Sequence, residues 1–437
     1  MGPARGRAAL LLIAVISVNA SYTVLIPFVQ ELEDRAGAGP ADIALTFALF
    51  AAAKTLAQPV GGWWVDRWWP GSVALISLLI CAVGIVITAL ARDPATLFTG
   101  RIVWGVGEGL VSPALYAGMS ALCRHYAIPT SRMMGNFGSA AVAGFLLGPL
   151  AAGVAAPVGI EGLFLAGAAL TVVTAFGLLY AIPRGTPADP DPASQPDLVP
   201  TVPPAATVVT SVPAVQRWWV WVLVLGGLDL FTFLIYSALE PVLPLYLSAE
   251  HDASARSAIS VVFAAGLATS GLSIWALGRW TGAVPLLSLV MFGLGFLAIG
   301  LTGLAISAAV LPVAAWFVVF MVGYSLLFLT ARRGILELKA AATHQGKAFG
   351  LFGMVSDVGN ILGPLVGVFL YQLTGRVAFV LLGALSGLLL AVLVGVALRG
   401  RRSGPAAVVP AETVPTVPPA DRPVIRRSAP AASTRAR

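Results

Sequence analysis

The sequence predicts an all-α membrane protein of twelve transmembrane helices, arranged as two pseudo-symmetric bundles of six. Composition sets the medium. Of 437 residues, 58% are hydrophobic and 10% charged, with a mean hydropathy of +0.91; soluble domains carry about 25% charged residues. A backbone in a bilayer must satisfy its own hydrogen bonds, so long apolar runs become spanning helices. A repeat sets the architecture. Gly135 to Leu150 reads GNFGSAAVAGFLLGPL and Gly350 to Leu365 reads GLFGMVSDVGNILGPL, eight identities in sixteen at an offset of 215. Tyr22-Thr-Val-Leu-Ile-Pro27 echoes Tyr236-Ser-Ala-Leu-Glu-Pro241 at 214, and Arg67-Trp68 echoes Arg279-Trp280 at 212. One unit of roughly 200 residues is built twice.

The elements follow in order. Apolar stretches of ~17–25 residues or somewhat longer place α1 at about 8–30, α2 at 42–65, α3 at 72–91, α4 at 95–123, α5 at 133–157 and α6 at 163–182. The second half supplies α7 at about 218–247, α8 at 256–277, α9 at 283–305, α10 at 309–331, α11 at 348–372 and α12 at 377–398. The offset maps α1 onto α7 and α5 onto α11. Arg5 and Arg7 before an apolar run ending in Val18-Asn19-Ala20 resemble a secretory signal peptide. The run continues to Val29, however, and has α7 as its repeat partner, which reads as an uncleaved first helix. Residues 183–217 contain nine prolines, and residues 399–437 contain seven with eight arginines. Neither stretch can bury a core. The domain organisation is therefore a six-helix bundle over 1–182, a proline-rich cytoplasmic linker over 183–217, a second bundle over 218–398 and a disordered basic cytoplasmic tail over 399–437.

Charge gives the orientation. With both termini in the cytoplasm, the inner segments hold 20 of the 26 Lys and Arg, and the outer loops hold only Arg35, Arg92, Arg256 and Arg376. That is the bias the positive-inside rule requires. The net charge of +7 is thus topological and calls for no nucleic-acid partner. Cys81 and Cys123 fit no disulfide framework. His125, His251 and His344 fall in predicted loops, so no metal site forms. Gly346-Lys347 lacks the upstream glycine of a phosphate loop, and the outer loops are too short for a catalytic cluster, so the chain is not read as an enzyme.

The chemistry is expected in charges that cannot reach water. Lys54 lies twelve residues, ~18 Å, from Asp66 along α2. Asp229 is twelve residues beyond Arg217 on α7, Asp357 ten beyond Lys347 on α11, and Glu108 fifteen beyond Asp93 on α4. All four land near the midplane of a ~30 Å hydrocarbon layer, where each charge costs at least ~2.5–3.5 kcal/mol and calls for a cavity or a partner. Arg101, Glu108, Ser112 and Tyr116 share one face of α4. Arg101 is about nine residues from the outer end, and snorkelling toward the headgroups competes with that inward placement. Asn19, Tyr22 and Thr23 stripe α1; Asp229, Thr232 and Tyr236 stripe α7, with Glu240 shallow enough to be interfacial. Asp357 and Asn360 mark α11, and Lys54 and Gln58 mark α2. Equal depth and opposite charge pair Lys54 with Glu108; the competing arrangement gives Glu108 to Arg101 through water. A carboxyl at this depth has its charged form disfavoured and is suited to carry a proton. Asp229 and Asp357 are the leading candidates in the second half.

Three motifs then carry a resemblance. Gly62-Trp-Trp-Val-Asp66-Arg67 follows α2, Gly100-Arg101-Ile-Val-Trp-Gly105-Val-Gly107 opens α4, and Gly144-Phe-Leu-Leu-Gly148-Pro149-Leu-Ala-Ala152-Gly153 runs through α5. On these the chain resembles the major facilitator superfamily of transporters over residues 8–398, closest to its twelve-helix drug–proton antiporters. The first motif departs from the family after Arg67, where Trp68-Trp69-Pro70 replaces glycine and basic residues, and Ala152 stands where the antiporter motif has glycine. The resemblance implies that α1, α2, α4, α5 and their partners α7, α8, α10 and α11 line a central cleft. It also implies a gate in which Asp66 docks on the N-terminus of α11. Gly359, Gly363 and Pro364 repeat Gly144, Gly148 and Pro149 in α11, as small-residue stripes for close helix approach.

The function expected is secondary active transport by alternating access. The first reading is proton-coupled efflux of a small, fairly apolar compound by a monomer in the plasma (inner) membrane, with no cofactor beyond the proton gradient. The second is a sugar, metabolite or lipid transporter of the same fold, with import as well as export open to it. A non-transporting receptor or scaffold is the outside alternative, and titratable residues in the cleft are what it would not need.

Overall fold

The computed structural model describes residues 3–128, 130–154, 158–184, 218–251, 255–280, 284–307, 309–337 and 345–402. Most of the predicted linker and tail therefore lies outside the described residues. The twelve spans are α1 Pro3–Thr23, α2 Pro40–Val65, α3 Pro70–Leu90, α4 Pro94–Tyr126, α5 Thr130–Val154, α6 Gly159–Ala181, α7 Trp218–His251, α8 Ala255–Trp280, α9 Leu286–Ala305, α10 Val310–Glu337, α11 Gln345–Thr374 and α12 Val377–Arg402. Eleven of these regions are long and apolar enough to cross a membrane on hydropathy alone. The twelfth, α4, is 33 residues long and buries Arg101 and Glu108. Residues 1–392 form one compact unit and Leu393–Arg437 a second.

Local chemistry sets the element ends. α1 stops at Thr23 because Pro27, which has no N–H to donate, sits in a 3-10 turn at Ile26–Phe28, and a short helix Val29–Ala36 follows. That helix ends on Gly37 at φ 59°, a left-handed cap that costs glycine nothing. Asp93 caps α4: its carboxylate accepts the Thr96 N–H at 2.9 Å and the Thr96 hydroxyl at 2.6 Å. The Thr96 hydroxyl and backbone N–H hold that exposed carboxyl below its usual range. α4 and α7 run past their predicted ends, so His125 lies in the last turn of α4 and His251 ends α7. Neither is in a loop.

Packing repeats as the sequence does. α1 lies on α5 and α6, α2 on α4, and α3 on α4 and α6. In the second half α7 lies on α11, α8 on α10 and α9 on α10. Gly383 of α12 meets Thr302 of α9, as α6 meets α3, and the Tyr246 and Phe379 rings join α7 to α12, as α1 joins α6. The two most extensive contacts between the halves are α5 on α8 and α2 on α11. Under the repeat, α5 becomes α11 and α8 becomes α2, so these contacts are images of each other.

Candidate transport cleft

Glycine brings the charged helices together. A Cβ on Gly109 of α4 would lie 2.3 Å from the Lys54 carbonyl oxygen, and one on Gly105 would lie 2.5 Å from that of Phe50. No side chain fits there, so α4 approaches α2 backbone to backbone at the level of Lys54. At that level Lys54 Nζ donates to Glu108 Oε1 at 2.5 Å. Glu108 is buried, and its other oxygen has no hydrogen-bond partner among the described residues. Lys54 is also within electrostatic reach of Asp357 on α11, which faces Thr55 and Asn360 as well. One ammonium thus ties two helices of the first half and faces the second half.

The stripes of α5 and α11 do the same work elsewhere. A Cβ on Gly148 would meet Thr23 Oγ1 at 2.1 Å, and one on Gly144 would meet the Ile16 carbonyl at 2.5 Å, so α5 lies against α1. Gly359 and Gly363 meet the Leu230 and Leu234 carbonyls at 2.3 and 2.5 Å, so α11 lies against α7 in the same way. Pro149 and Pro364 sit inside continuous helices. Asn360 accepts the Ser237 hydroxyl at 2.8 Å across the α7–α11 contact. Asn19 donates to the Val15 carbonyl of its own helix, and Gln58 lies half-buried one turn beyond Lys54.

The second half holds an ion pair that charge-by-depth reasoning missed. Arg332 of α10 donates to Asp229 Oδ1 at 2.8 Å, with its guanidinium 3.4 Å from the centre of the Phe328 ring. Arg332 reads as an inner flanking charge in the sequence, but α10 continues to Glu337 and carries it inside the span. Asp229 is fully buried, and its Oδ2 has no hydrogen bond of normal geometry among the described residues, although the Ser356 hydroxyl lies beside the carboxyl. Tyr116 of α4 is half exposed and lies within electrostatic reach of both Lys54 and Arg332. Tyr116 and Lys54 belong to the first half and Arg332 to the second.

Arg101 does not snorkel. It is fully buried, with its guanidinium 4.1 Å from the Phe50 ring centre and 4.8 Å from that of Trp104. Its Nε reaches the Thr46 carbonyl at 3.5 Å, and both terminal nitrogens lack hydrogen-bond partners among the described residues. Nor is Glu240 interfacial. It is buried, and its Oε2 accepts the Tyr22 hydroxyl at 2.7 Å across the two halves. Tyr236 stands beside the same carboxyl, and its ring packs tilted against that of Tyr324, 4.9 Å between centres. At the nearby rim Arg256 of α8 is paired with Glu31 of the short helix, while Arg35 and Arg92 both reach Glu161. That end of the cleft is closed.

At the opposite end, Asp66 caps α2, with its backbone N–H on the Gly62 carbonyl. Arg67 folds back over the Trp63 ring at 4.2 Å. The side chains of 345–350, where Asp66 is expected to dock, lie outside the described residues. The departure from the motif has its own use: Trp68 stacks on Trp64, and Trp69 Nε1 donates to the Pro183 carbonyl at 3.0 Å. That bond ties the α2–α3 turn to the end of α6.

The repeated bundle with charges buried inside it is the architecture of a multi-pass membrane transporter. The Major Facilitator Superfamily family model matches residues 11–331 and 230–433, and the chain belongs to that family. Multidrug resistance protein 1 of Bacillus subtilis is 22% identical over 82% of this chain and 87% of its own length. Tetracycline resistance protein, class D, of Salmonella ordonez is 23% identical over 76% of this chain and 81% of its own. Multidrug resistance protein 2 of Bacillus subtilis is 27% identical, but the match spans only 33% of that protein. Among solved structures, the nucleoside transporter NupG superposes with a TM-score of 0.65 at 14% identity, covering 90% of this chain and 99% of that one. The human organic anion transporter MFSD10 gives 0.61 at 17%, covering 90% and 100%. These likenesses establish the fold.

Proposed function

We propose that this protein is a monomeric, proton-coupled exporter of small, fairly apolar compounds in the plasma membrane. The observation that carries the reading is the cleft itself. Two ion pairs, Lys54–Glu108 and Asp229–Arg332, and a further acid, Asp357, stand at mid-depth in the two halves. Charges at this depth are costly unless used, and embedded carboxylates are suited to exchange protons as access alternates. The positive-inside bias puts both termini, the linker over 183–217 and the 66–69 turn in the cytoplasm, so the closed end is the outer one. The bundles over 1–182 and 218–398 then rock about the cleft, and the Asp66 gate and the glycine–proline stripes of α5 and α11 shape the motion.

Efflux is favoured by the drug-resistance relatives. A second reading, transport of a polar metabolite such as a nucleoside, has support in the likeness to NupG. Purified protein in proteoliposomes, offered a panel of drugs and nucleosides with and without a pH gradient, separates the two. Gradient-driven movement of an apolar compound against its concentration supports the first reading. Flux of nucleosides alone, or flux indifferent to the gradient, overturns it.

A further inference from the structure

Three contacts between the halves close the cleft at the end away from the 66–69 turn. At the rim, Arg256 of α8 pairs with Glu31. Further in, Ser260 of α8 is buried against Gly153 of α5, with 3.0 Å between the serine Cβ and the place a Cβ would take on the glycine. Deepest is the bond from the Tyr22 hydroxyl to Glu240. Opening this end must part α1 from α7, and so must break that bond and bring water to Glu240.

Glu240 is costly to bury as a carboxylate. Only 1% of the residue is exposed, and its Oε1 has no hydrogen bond of normal geometry among the described residues. The titratable and charged groups facing it are Tyr22 on α1, Lys54 on α2, Arg101 on α4, Tyr324 on α10 and Tyr236 on α7 itself. Neither cation touches it: Lys54 is engaged with Glu108, and Arg101 is held among Phe47, Phe50 and Trp104. A neutral carboxylic acid enters such a setting at far lower cost than an anion with one oxygen unpaired.

Resting on the proton-coupled reading, we propose that Glu240 is the outward-side proton acceptor and that its protonation lets the outer end close. With that end open, Glu240 takes one proton from outer water. Closure then buries it as the neutral acid, with the Tyr22 hydroxyl donating to its carbonyl oxygen. Once water reaches it from the cleft, Lys54 and Arg101 favour the carboxylate, and the same proton leaves inward. One proton enters and one leaves per cycle.

Ser260→Cys, in a background with Cys81→Ala and Cys123→Ala, reports opening of the outer end to a membrane-impermeant maleimide applied outside. Labelling is normalised to Arg92→Cys, an exposed outer position, so that thiol ionisation cancels. The normalised rate should be several-fold slower in acidic than in alkaline outer buffer. Glu240→Gln, a fixed neutral side chain, should be slow in both, and Glu240→Asp should keep the pH dependence. A Glu240→Gln protein with the parental pH dependence, loss of the dependence in the Asp variant as in the Gln variant, or a parental rate indifferent to pH overturns the proposal. Gradient-driven flux separates the two failures. If it persists while labelling ignores pH, Glu240 is not the acceptor but proton coupling stands; if it is absent altogether, the coupled reading fails as well.

Discussion

Removing Lys54 should harm the protein more than removing Glu108, and removing both should harm it less than the sum. The asymmetry follows from exposure: the Lys54 side chain is 33% exposed and that of Glu108 is 5%. Lys54→Met strands a carboxylate shielded from solvent, with one oxygen already unpartnered among the described residues. Breaking a buried pair costs ~3–5 kcal/mol, and the partial exposure of Lys54 brings this down to ~2–3. Glu108→Gln strands an ammonium that can rehydrate in the cleft, which we put at ~1–2 kcal/mol. The double variant leaves no unpaired charge and should cost ~1–2 kcal/mol in total, because neutral replacement of both partners is often near neutral. The cycle thus contains an interaction of ~2 kcal/mol. Reversible unfolding of the four proteins by sodium dodecyl sulfate in mixed micelles measures it, with transport rates as a second readout. Losses additive to within ~0.5 kcal/mol would refute the pairing.

Other outcomes follow from single positions. Gly148→Ala puts a methyl 2.1 Å from Thr23 Oγ1 and should cost ~1–3 kcal/mol through forced separation of α1 and α5; Gly138→Ala, which meets open space, should be harmless in the same unfolding titration. Asp357→Asn should abolish gradient-driven transport if this acid takes part in coupling, and a flux ratio across the gradient equal to the parental one would remove it from the mechanism. Ser194→Cys should resist an impermeant thiol reagent in intact cells while Arg92→Cys reacts; strong labelling at 194 would invert the topology.

Hydropathy and the repeat together made the spans legible, because both can be read along the chain without knowing which segments touch. Depth was equally legible: at ~1.5 Å per residue, Lys54 and Glu108 fall at one level, and the structure joins them. What periodicity lacks is neighbours. Arg332 reads as a flanking charge because the apolar run fades near 331, whereas the helix continues to Glu337 and turns the arginine onto Asp229. Arg101 has a short route to the outer headgroups, yet rings from α2 and from its own helix hold it inside. Glu240 was misplaced for a related reason. Its distance from the end of α7 suggested the interface, but its burial is set by Tyr22, 218 residues away in sequence. Snorkelling and ring contacts compete on a scale of ~0.5–2 kcal/mol, and tertiary packing decides between them.

Exchange of protons for substrate in the cleft can be read by adding a transported compound to purified protein in weakly buffered detergent solution and recording the pH. A saturable release of about one proton per bound molecule is expected, as an embedded carboxylate gives up its proton when the ligand enters. Release should vanish when the cleft carboxylates are replaced by amides. Saturable binding with no change in pH, over the range where transport responds to the gradient, would contradict it.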